Sequence, residues 1–259
     1  MKTVIALEKA GYDRDLFFIV DNMDKQIELY KENFGADRVI VFDKRKYMDI
    51  SEKMDNFDNP KAILYARNAS YDIAEALGYK YFVMLDDDYT YFVYRTADRS
   101  HPIKKIGNIF QNMVDFIATT PTYTIAMSQG GDHIGGYNSD KPMYKRKAMN
   151  SFVCSTDKRI WFKGTMNEDV SAYVQYGMTG KLFFTAMNIQ LCQALTQSLE
   201  GGMSGTYSES GTYVKSFYSK ICAPSAITIR TMGRINMRLH HNVNWDAAAV
   251  KIIREKYKK

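Results

Sequence analysis

Three adjacent carboxylates close an apolar run in Tyr81-Phe82-Val83-Met84-Leu85-Asp86-Asp87-Asp88. Five consecutive apolar residues rich in aromatic and branched side chains predict a strand buried on both faces. Buried charge is costly, so the acids belong just beyond the strand's C-terminal end. Open α/β sheets bind their ligands outside those ends. Carboxylates this close repel one another, and a divalent cation relieves the repulsion. Oxygen donors suit Mg²⁺ or Mn²⁺, which complete their shells with water and substrate phosphates. The competing reading is a polar turn after a strand, and the triplet alone does not separate the two.

A second acidic group stands at Asn167-Glu168-Asp169. Val170, Ala172 to Val174 and Tyr176 to Met178 predict a helix that starts there, with both acids in its first turn. The helix dipole favours acids in that position, which is a sufficient structural reason for them. The chemical reading is a general base that deprotonates an acceptor hydroxyl. His240-His241 follows Arg238-Leu239 late in the chain. A histidine pair becomes a metal-ligand candidate only if the fold carries it to the triplet.

The elements that must position these groups alternate in the first half of the chain. A short helix is predicted over 2–10 and a strand over Leu16–Val20, ending at Asp21. A helix follows with Met23, Ile27, Tyr30 and Phe34 at helical spacing and Gly35 placed to end it. Arg38 to Phe42 reads as a strand, 43–59 as a charged stretch and Asp55 to Pro60 as a turn cluster. Ala62, Ala66, Ala69, Ile73 and Leu77 form the stripe of a helix that Gly78 terminates. This βαβ rhythm predicts a parallel sheet covered by helices on both faces.

Beyond the triplet, Tyr91 to Tyr94 reads as a strand. A helix over 102–118 carries Ile103, Ile106, Phe110, Met113 and Ile117 on one face, and Tyr123 to Met127 reads as a strand. Gly130 to Gly136 is a loop that fits neither a Walker nor a dinucleotide fingerprint. Lys141 to Lys147 is a basic run, readable as a solvated face or a phosphate-backbone patch. Lys181 to Thr185 is a further strand, Gly201 to Gly211 a mobile loop, and a terminal helix contains Ile253.

Composition sets the outer bounds. The chain has 259 residues, 46% hydrophobic and 25% charged, as in a soluble globular protein. No apolar run reaches the length of a membrane span and no secretory signal pattern is read, so no membrane partner is expected. Cys154, Cys192 and Cys222 are widely spaced and odd in number, matching neither a disulfide framework nor a zinc site. A reducing, cytoplasmic setting is therefore expected. The net charge of +6, from 35 basic and 29 acidic residues, permits an anionic partner without demanding one.

Taken together, these segments carry a resemblance. Asp86-Asp87-Asp88 after its strand resembles the DxD motif of GT-A fold, nucleotide-sugar-dependent glycosyltransferases. Ala66-Arg67-Asn68-Ala69 resembles the ARN segment that precedes the acidic strand there, and Glu168-Asp169 is similar to the xED motif. His240-His241 falls where many members place a C-terminal metal-binding histidine. Lys9-Ala10-Gly11-Tyr12, Ile19-Val20-Asp21 and Leu85-Asp86-Asp87-Asp88 resemble more narrowly the TET-associated glycosyltransferases, encoded largely by bacteriophages and implicated in adding sugars to hydroxymethylated pyrimidines of DNA. The resemblance spans residues 2 to 245, and the order and spacing of its short motifs carry it.

The resemblance implies a single GT-A, Rossmann-like α/β domain over 1–259, with a mostly parallel central sheet flanked by helices. Residues 1–120 would form the nucleotide-sugar half and 121–259 the acceptor half. Asp21 would hydrogen-bond the uracil, Arg67 the uracil or diphosphate, and Asp86 the ribose or a metal-bound water. Asp87 joins this nucleotide-binding set. Asp88 would bind Mn²⁺ or Mg²⁺ directly, with Asp86, His240 or His241 completing the metal site. Lys215 would neutralise the diphosphate, and Asp169 would be the general base with Glu168 as the alternate. Family members begin with a strand and a Pro-Ser-x-x-Arg-like loop, and this sequence starts just after that point. The expectation is a truncated chain or a nucleotide pocket with one edge built differently.

Three functions follow as expectations. The leading one is transfer of a sugar from a UDP-sugar to hydroxymethyl-pyrimidine DNA in the host cytoplasm, with the base flipped out for reaction. The second keeps the chemistry with a protein or polysaccharide acceptor. The third is a nucleotide-binding module without catalysis.

Overall fold

The structure is a computed structural model that describes residues 1–55, 60–133, 143–193, 204–233, 237–252 and 255–257, with only the backbone of 204–212 and 257. Helix α1 (Lys2–Lys9) leads to strand β1 (Phe18–Asp21), helix α2 (Ile27–Phe34) and strand β2 (Val39–Phe42). Strands β1 and β2 pair in parallel, Phe18 opposite Val39. Helix α3 (Lys44–Ile50) occupies part of the stretch expected to be a charged connection. Asp43 starts it by accepting a hydrogen bond from Arg45 N at 3.0 Å, a local cap that the surrounding charges obscure. Helix α4 (Leu64–Ala76) then feeds strand β3 (Tyr81–Leu85), which ends at the triplet.

The second half is built differently. Strands β4 (Tyr89–Arg95) and β5 (Ser100–Pro102) precede helix α5 (Ile106–Thr119) and strand β6 (Thr122–Ser128). Strand β7 (Ser151–Ser155), helix α6 (Glu168–Met178) and strand β8 (Leu182–Gln193) follow. Helix α7 (Ser204–Cys222), strands β9 (Ile227–Met232) and β10 (Arg238–Val243) and helix α8 (Trp245–Ala248) follow β8. The main sheet has six strands in the order β3-β7-β6-β8-β4-β5. Only β6 and β8 pair in parallel, and the other four pairings are antiparallel. The sheet is mixed, which corrects the mostly parallel sheet expected. Parallel pairing needs a long crossover, and in this sheet α6 lies on the one between β6 and β8. Neither β3 to β4 nor β6 to β7 is bridged by an α-helix among the described residues.

Apolar side chains cover both faces of this sheet. Strand β7 is buried at every position, with Phe152 and Cys154 facing α4 and α6 and Val153 facing α1 and α5. Its two serines and short length hid it in the sequence. On α5, Ile106, Phe110, Met113 and Ile117 are all buried, as their spacing predicts. On α4, Leu64, Tyr65, Asn68, Ala69 and Tyr71 are buried away from a cleft that is lined by Ala66, Arg67, Ile73 and Ala74, with Ala62 and Leu77 just beyond the helix ends.

That cleft also explains β3, which is partly exposed at all five positions rather than buried on both faces. Among the described residues, strand β3 pairs only with β7 and β1 only with β2. Residues of both strands, and of α4, line the same cleft. In the C-terminal third, α7 begins at Ser204, so the backbone of 204–211 is helical where a mobile loop over Gly201 to Gly211 was expected. The histidine pair lies in β10, antiparallel to β9. Ile253, residues 134–142, residues 56–59 and Gly201 to Met203 lie outside the described residues, along with the expectations that fall on them.

Candidate active site

Arg67 is the centre of the site. Helix α4 buries it to 6% exposure, its guanidinium carbon 5.1 Å from the Phe152 ring centre and 5.5 Å from that of Phe162. One end reaches Asp86 Oδ1 at 3.3 Å, just past β3, and the other reaches Glu168 Oε1 at 3.1 Å, at the first residue of α6. Three elements distant in sequence are thereby tied to one fork. The next residue, Asn68, holds the segment that leads to α6. Its Nδ2 donates to Phe162 O at 3.0 Å and its Oδ1 accepts from Phe162 N at 2.9 Å.

Acid outnumbers base in this cluster. Burial pushes the Asp86 carboxyl up to about 6; Arg67 opposes the rise while Asp88, Asp169 and Asp87 add to it. Burial raises Glu168 as well, again against Arg67 and with the help of Asp169. Burial works against the charge of Arg67, but Glu168 and Asp86 outweigh it and hold the guanidinium above its usual range. One guanidinium does not neutralise this many carboxylates, so the site favours a further positive charge or a proton.

The remaining acids are fixed by hydrogen bonds. Asp169, 8% exposed, accepts from Val170 N at 2.8 Å through Oδ1. Asp88 Oδ1 accepts from Gln193 Nε2 at 3.1 Å. Asp87 is exposed, and its carbonyl accepts from Thr3 N at 3.2 Å. Asp21, at the end of β1, is paired with Lys44 at 2.9 Å.

The opposite wall comes from α7 and β10. Asn167 takes the left-handed conformation, φ 52°, and its Nδ2 donates to Lys215 O at 2.7 Å and Ser219 Oγ at 3.0 Å. It also lies 3.5 Å from His241 Nδ1. The His240 and His241 rings stack with centres 4.4 Å apart. Burial pulls His241 down to about 3 and His240 to about 4, with Lys147 and Lys215 adding to the effect in both. Both imidazoles are therefore neutral near pH 7 and able to offer a nitrogen lone pair.

The structure brings Asp21, Arg67, Asp86, Asp87, Asp88, Glu168, Asp169, Lys215, His240 and His241 to one cleft of about 1660 Å³. Lys44, Asn68, Lys147, Asn150, Gln193 and Arg238 also belong to this constellation or its support, and residue type and spacing alone assign none of them a role. Asn68 stands in the ARN segment, Lys147 in the basic run, Lys44 in the charged 43–59 stretch and Arg238 two residues before the histidine pair, whereas Asn150 and Gln193 carry no local signal.

Among the described residues, no three His, Cys, Asp or Glu side chains converge closely enough to cage a cation unaided. The donors suit instead a cation that shares its shell with phosphate oxygens, for which one or two carboxylates suffice. Asp88 offers such a carboxylate. His241 Nε2 is a buried nitrogen with no hydrogen-bond partner among the described residues. The residues present fit a divalent ion bound together with a diphosphate.

No helix among the described residues is long and apolar enough to cross a membrane. No curated protein and no solved structure matches the chain. The profile of the TET-associated glycosyltransferases matches residues 1–202. That stretch contains Asp21, the Arg67 fork, the triplet and the Glu168-Asp169 pair, whereas Lys215 and the histidines lie beyond it. A buried fork that joins a post-strand acidic triplet to a second acidic pair thus stands within the matched residues, and the chain belongs to the TET-associated glycosyltransferase family, its enzyme a glycosyltransferase.

Proposed function

We propose that the protein transfers a sugar from a UDP-sugar to a hydroxyl of hydroxymethyl-pyrimidine in DNA, in the cytoplasm of a phage-infected cell, with Mn²⁺ or Mg²⁺. The observation that carries this reading is the Arg67 fork, which sets Asp86 and Glu168 on either side of one cation at 3.3 and 3.1 Å. It makes a single site of the donor-side triplet and the acceptor-side acidic pair. The cleft volume of about 1660 Å³ exceeds the roughly 300–1,000 Å³ of ordinary small-molecule sites, leaving room for donor and acceptor together.

In this reading Asp21 and Arg67 hold the nucleotide, with Asp86 and Asp87 beside the ribose and Asp88 aimed at the diphosphate. His241, or His240 stacked on it, offers a neutral nitrogen to the same group. The ion, when bound, stabilises the charge that develops on the leaving diphosphate. Lys215 supplies fixed positive charge there, with Lys147 and Arg238 beside it. Asp169 takes the proton of the acceptor hydroxyl as the sugar's anomeric bond to the diphosphate breaks, and an in-line attack inverts that carbon. Glu168 is the alternate base. The same cations and the net charge of +6 suit a DNA backbone, with the target base flipped into the cleft.

The test is UDP release from a panel of UDP-sugars with Mn²⁺, using hydroxymethyl-pyrimidine DNA, unmodified DNA or no acceptor. Release that needs the metal, Asp88 (absent in Asp88→Ala) and the hydroxymethyl group is the expected result. Metal-dependent release indifferent to DNA would move the acceptor to a protein or polysaccharide. No release by folded protein with any sugar would overturn the catalytic reading.

A further inference from the structure

A chain of hydrogen bonds reaches the triplet from β7 and β8, and it passes through two amides outside every ion pair described above. It starts at Tyr89, fully buried, whose hydroxyl accepts from Asp86 N at 3.1 Å and donates to the Asn150 carbonyl. Asn150 stands just before β7 with φ 61°, a left-handed conformation that L-residues other than glycine rarely adopt. Its Nδ2 donates to Gln193 Oε1 at 3.1 Å. This contact decides which way the Gln193 amide faces. With Oε1 engaged by Asn150, the Nε2 end is presented to Asp88 and donates to Oδ1 at 3.1 Å. The backbone of Asp86 and the side chain of Asp88 are thus the two ends of one directed relay.

We infer that Asn150 and Gln193 are positioning residues, holding the Asp88 carboxylate in the orientation it presents to the donor's metal-diphosphate group. The inference rests on the glycosyl-transfer reading above. Neither amide lies among the charged groups that would touch the donor, and neither carries charge. Their contribution is polarity and direction. A donor at Asp88 Oδ1 supports the ionised carboxylate and leaves its other oxygen to turn toward the cleft, whereas an acceptor in that place would repel it. Uncommon backbone geometry persists where its surroundings over-determine it, and it clusters at functional sites. Asn150 fits that pattern, since its carbonyl and its amide serve opposite ends of the relay.

Two variants separate this role from a structural one. Asn150→Gly accommodates the left-handed backbone and keeps the carbonyl for Tyr89, so it deletes only the side-chain amide. Gln193→Glu keeps the length but places a carboxylate against Asp88. Mn²⁺ affinity is measured by calorimetry with UDP present and no acceptor, so that no turnover enters, alongside thermal melting and the acceptor KM. Loss of such orienting partners typically weakens metal binding by about 10- to 100-fold. The expected result is a loss of that order for Asn150→Gly, a greater one for Gln193→Glu, and an unchanged Tm and acceptor KM for Asn150→Gly. Wild-type affinity in both variants would overturn the positioning role alone. A fall in Tm that accounts for the affinity loss in both would assign the amides to the fold and overturn it too. Wild-type protein that takes up no Mn²⁺ with UDP would overturn the transfer reading and this inference with it.

Discussion

Arg67 Nη1 lies 3.1 Å from Glu168 Oε1, and the two side chains keep only 7% and 10% of their surface exposed. A buried pair of this kind does not guarantee stability, because desolvation offsets much of the attraction. Breaking it is costly all the same, since the surviving partner is left charged and uncompensated.

Arg67→Met therefore unfolds more easily while retaining much of the apolar packing between Phe152 and Phe162. The expected loss is about 3–5 kcal/mol near neutral pH, as for other broken buried pairs. Urea denaturation measures it. A loss below about 1 kcal/mol would place the fork at the edge of the site's architecture rather than at its centre.

The same acids set an inverted pH dependence. Asp86 is raised to about 6 and Glu168 is raised too, both first by burial, so the folded protein binds protons that the unfolded chain has released. Unfolding stability falls with rising pH wherever the native state holds more protons. The contribution of these two groups is therefore full below the ordinary carboxylate range and is lost as pH rises through the raised values. Chemical denaturation of the ligand-free protein at pH 5 and pH 7.5 should show this decline, and Glu168→Gln should flatten it. An unchanged slope in that variant would assign the dependence to other groups.

Asn167 joins the start of α6 to α7 through Lys215 O and Ser219 Oγ. Asn167→Ala loses both hydrogen bonds and places alanine at φ 52°, for an expected cost of about 2–4 kcal/mol. Asn167→Gly recovers the backbone share, about 1–2 kcal/mol, but not the tether. Melting temperatures rank the three proteins, and limited proteolysis within α7 reports the lost connection. Equal stability of the glycine and alanine variants would contradict the strain attributed to this residue.

The free edges of β1 and β3 predict a pattern in hydrogen exchange. Along Tyr81–Leu85, the amides directed at β7 should be protected, and the alternate ones directed at the cleft should exchange readily. Uniform protection along β3 would mean that its second edge is paired in solution. Such pairing would also remove the partial exposure seen at all five positions.

Periodic segments were readable in the sequence because their burial repeats with the element itself. The spacing of Ile106, Phe110, Met113 and Ile117 predicts α5, and Gly35 and Gly78 fall at helix ends with φ of 93° and 78°. The apolar run before the triplet placed β3 and its three acids. Segments whose stability comes from neighbours were not readable. Strand β7 carries no alternation because it is buried on both faces, and the glycines and hydroxyls of 204–211 suggest a loop where the backbone is helical.

Residue type and spacing are enough to place each acidic group along the chain, to put Arg67 on a helix before β3, and to identify the family pattern. Those properties are local, written in residue type and spacing. Packing alone brings Arg67 between Asp86 and Glu168, makes the sheet mixed, and sets Asn167 against Lys215 and His241. Packing also turns the donor end of Gln193 to Asp88, because an amide's direction depends on what its other end touches. Side chains far apart in sequence meet through the packing of α4, α6, α7 and the sheet between them, and no single-segment periodicity encodes that packing.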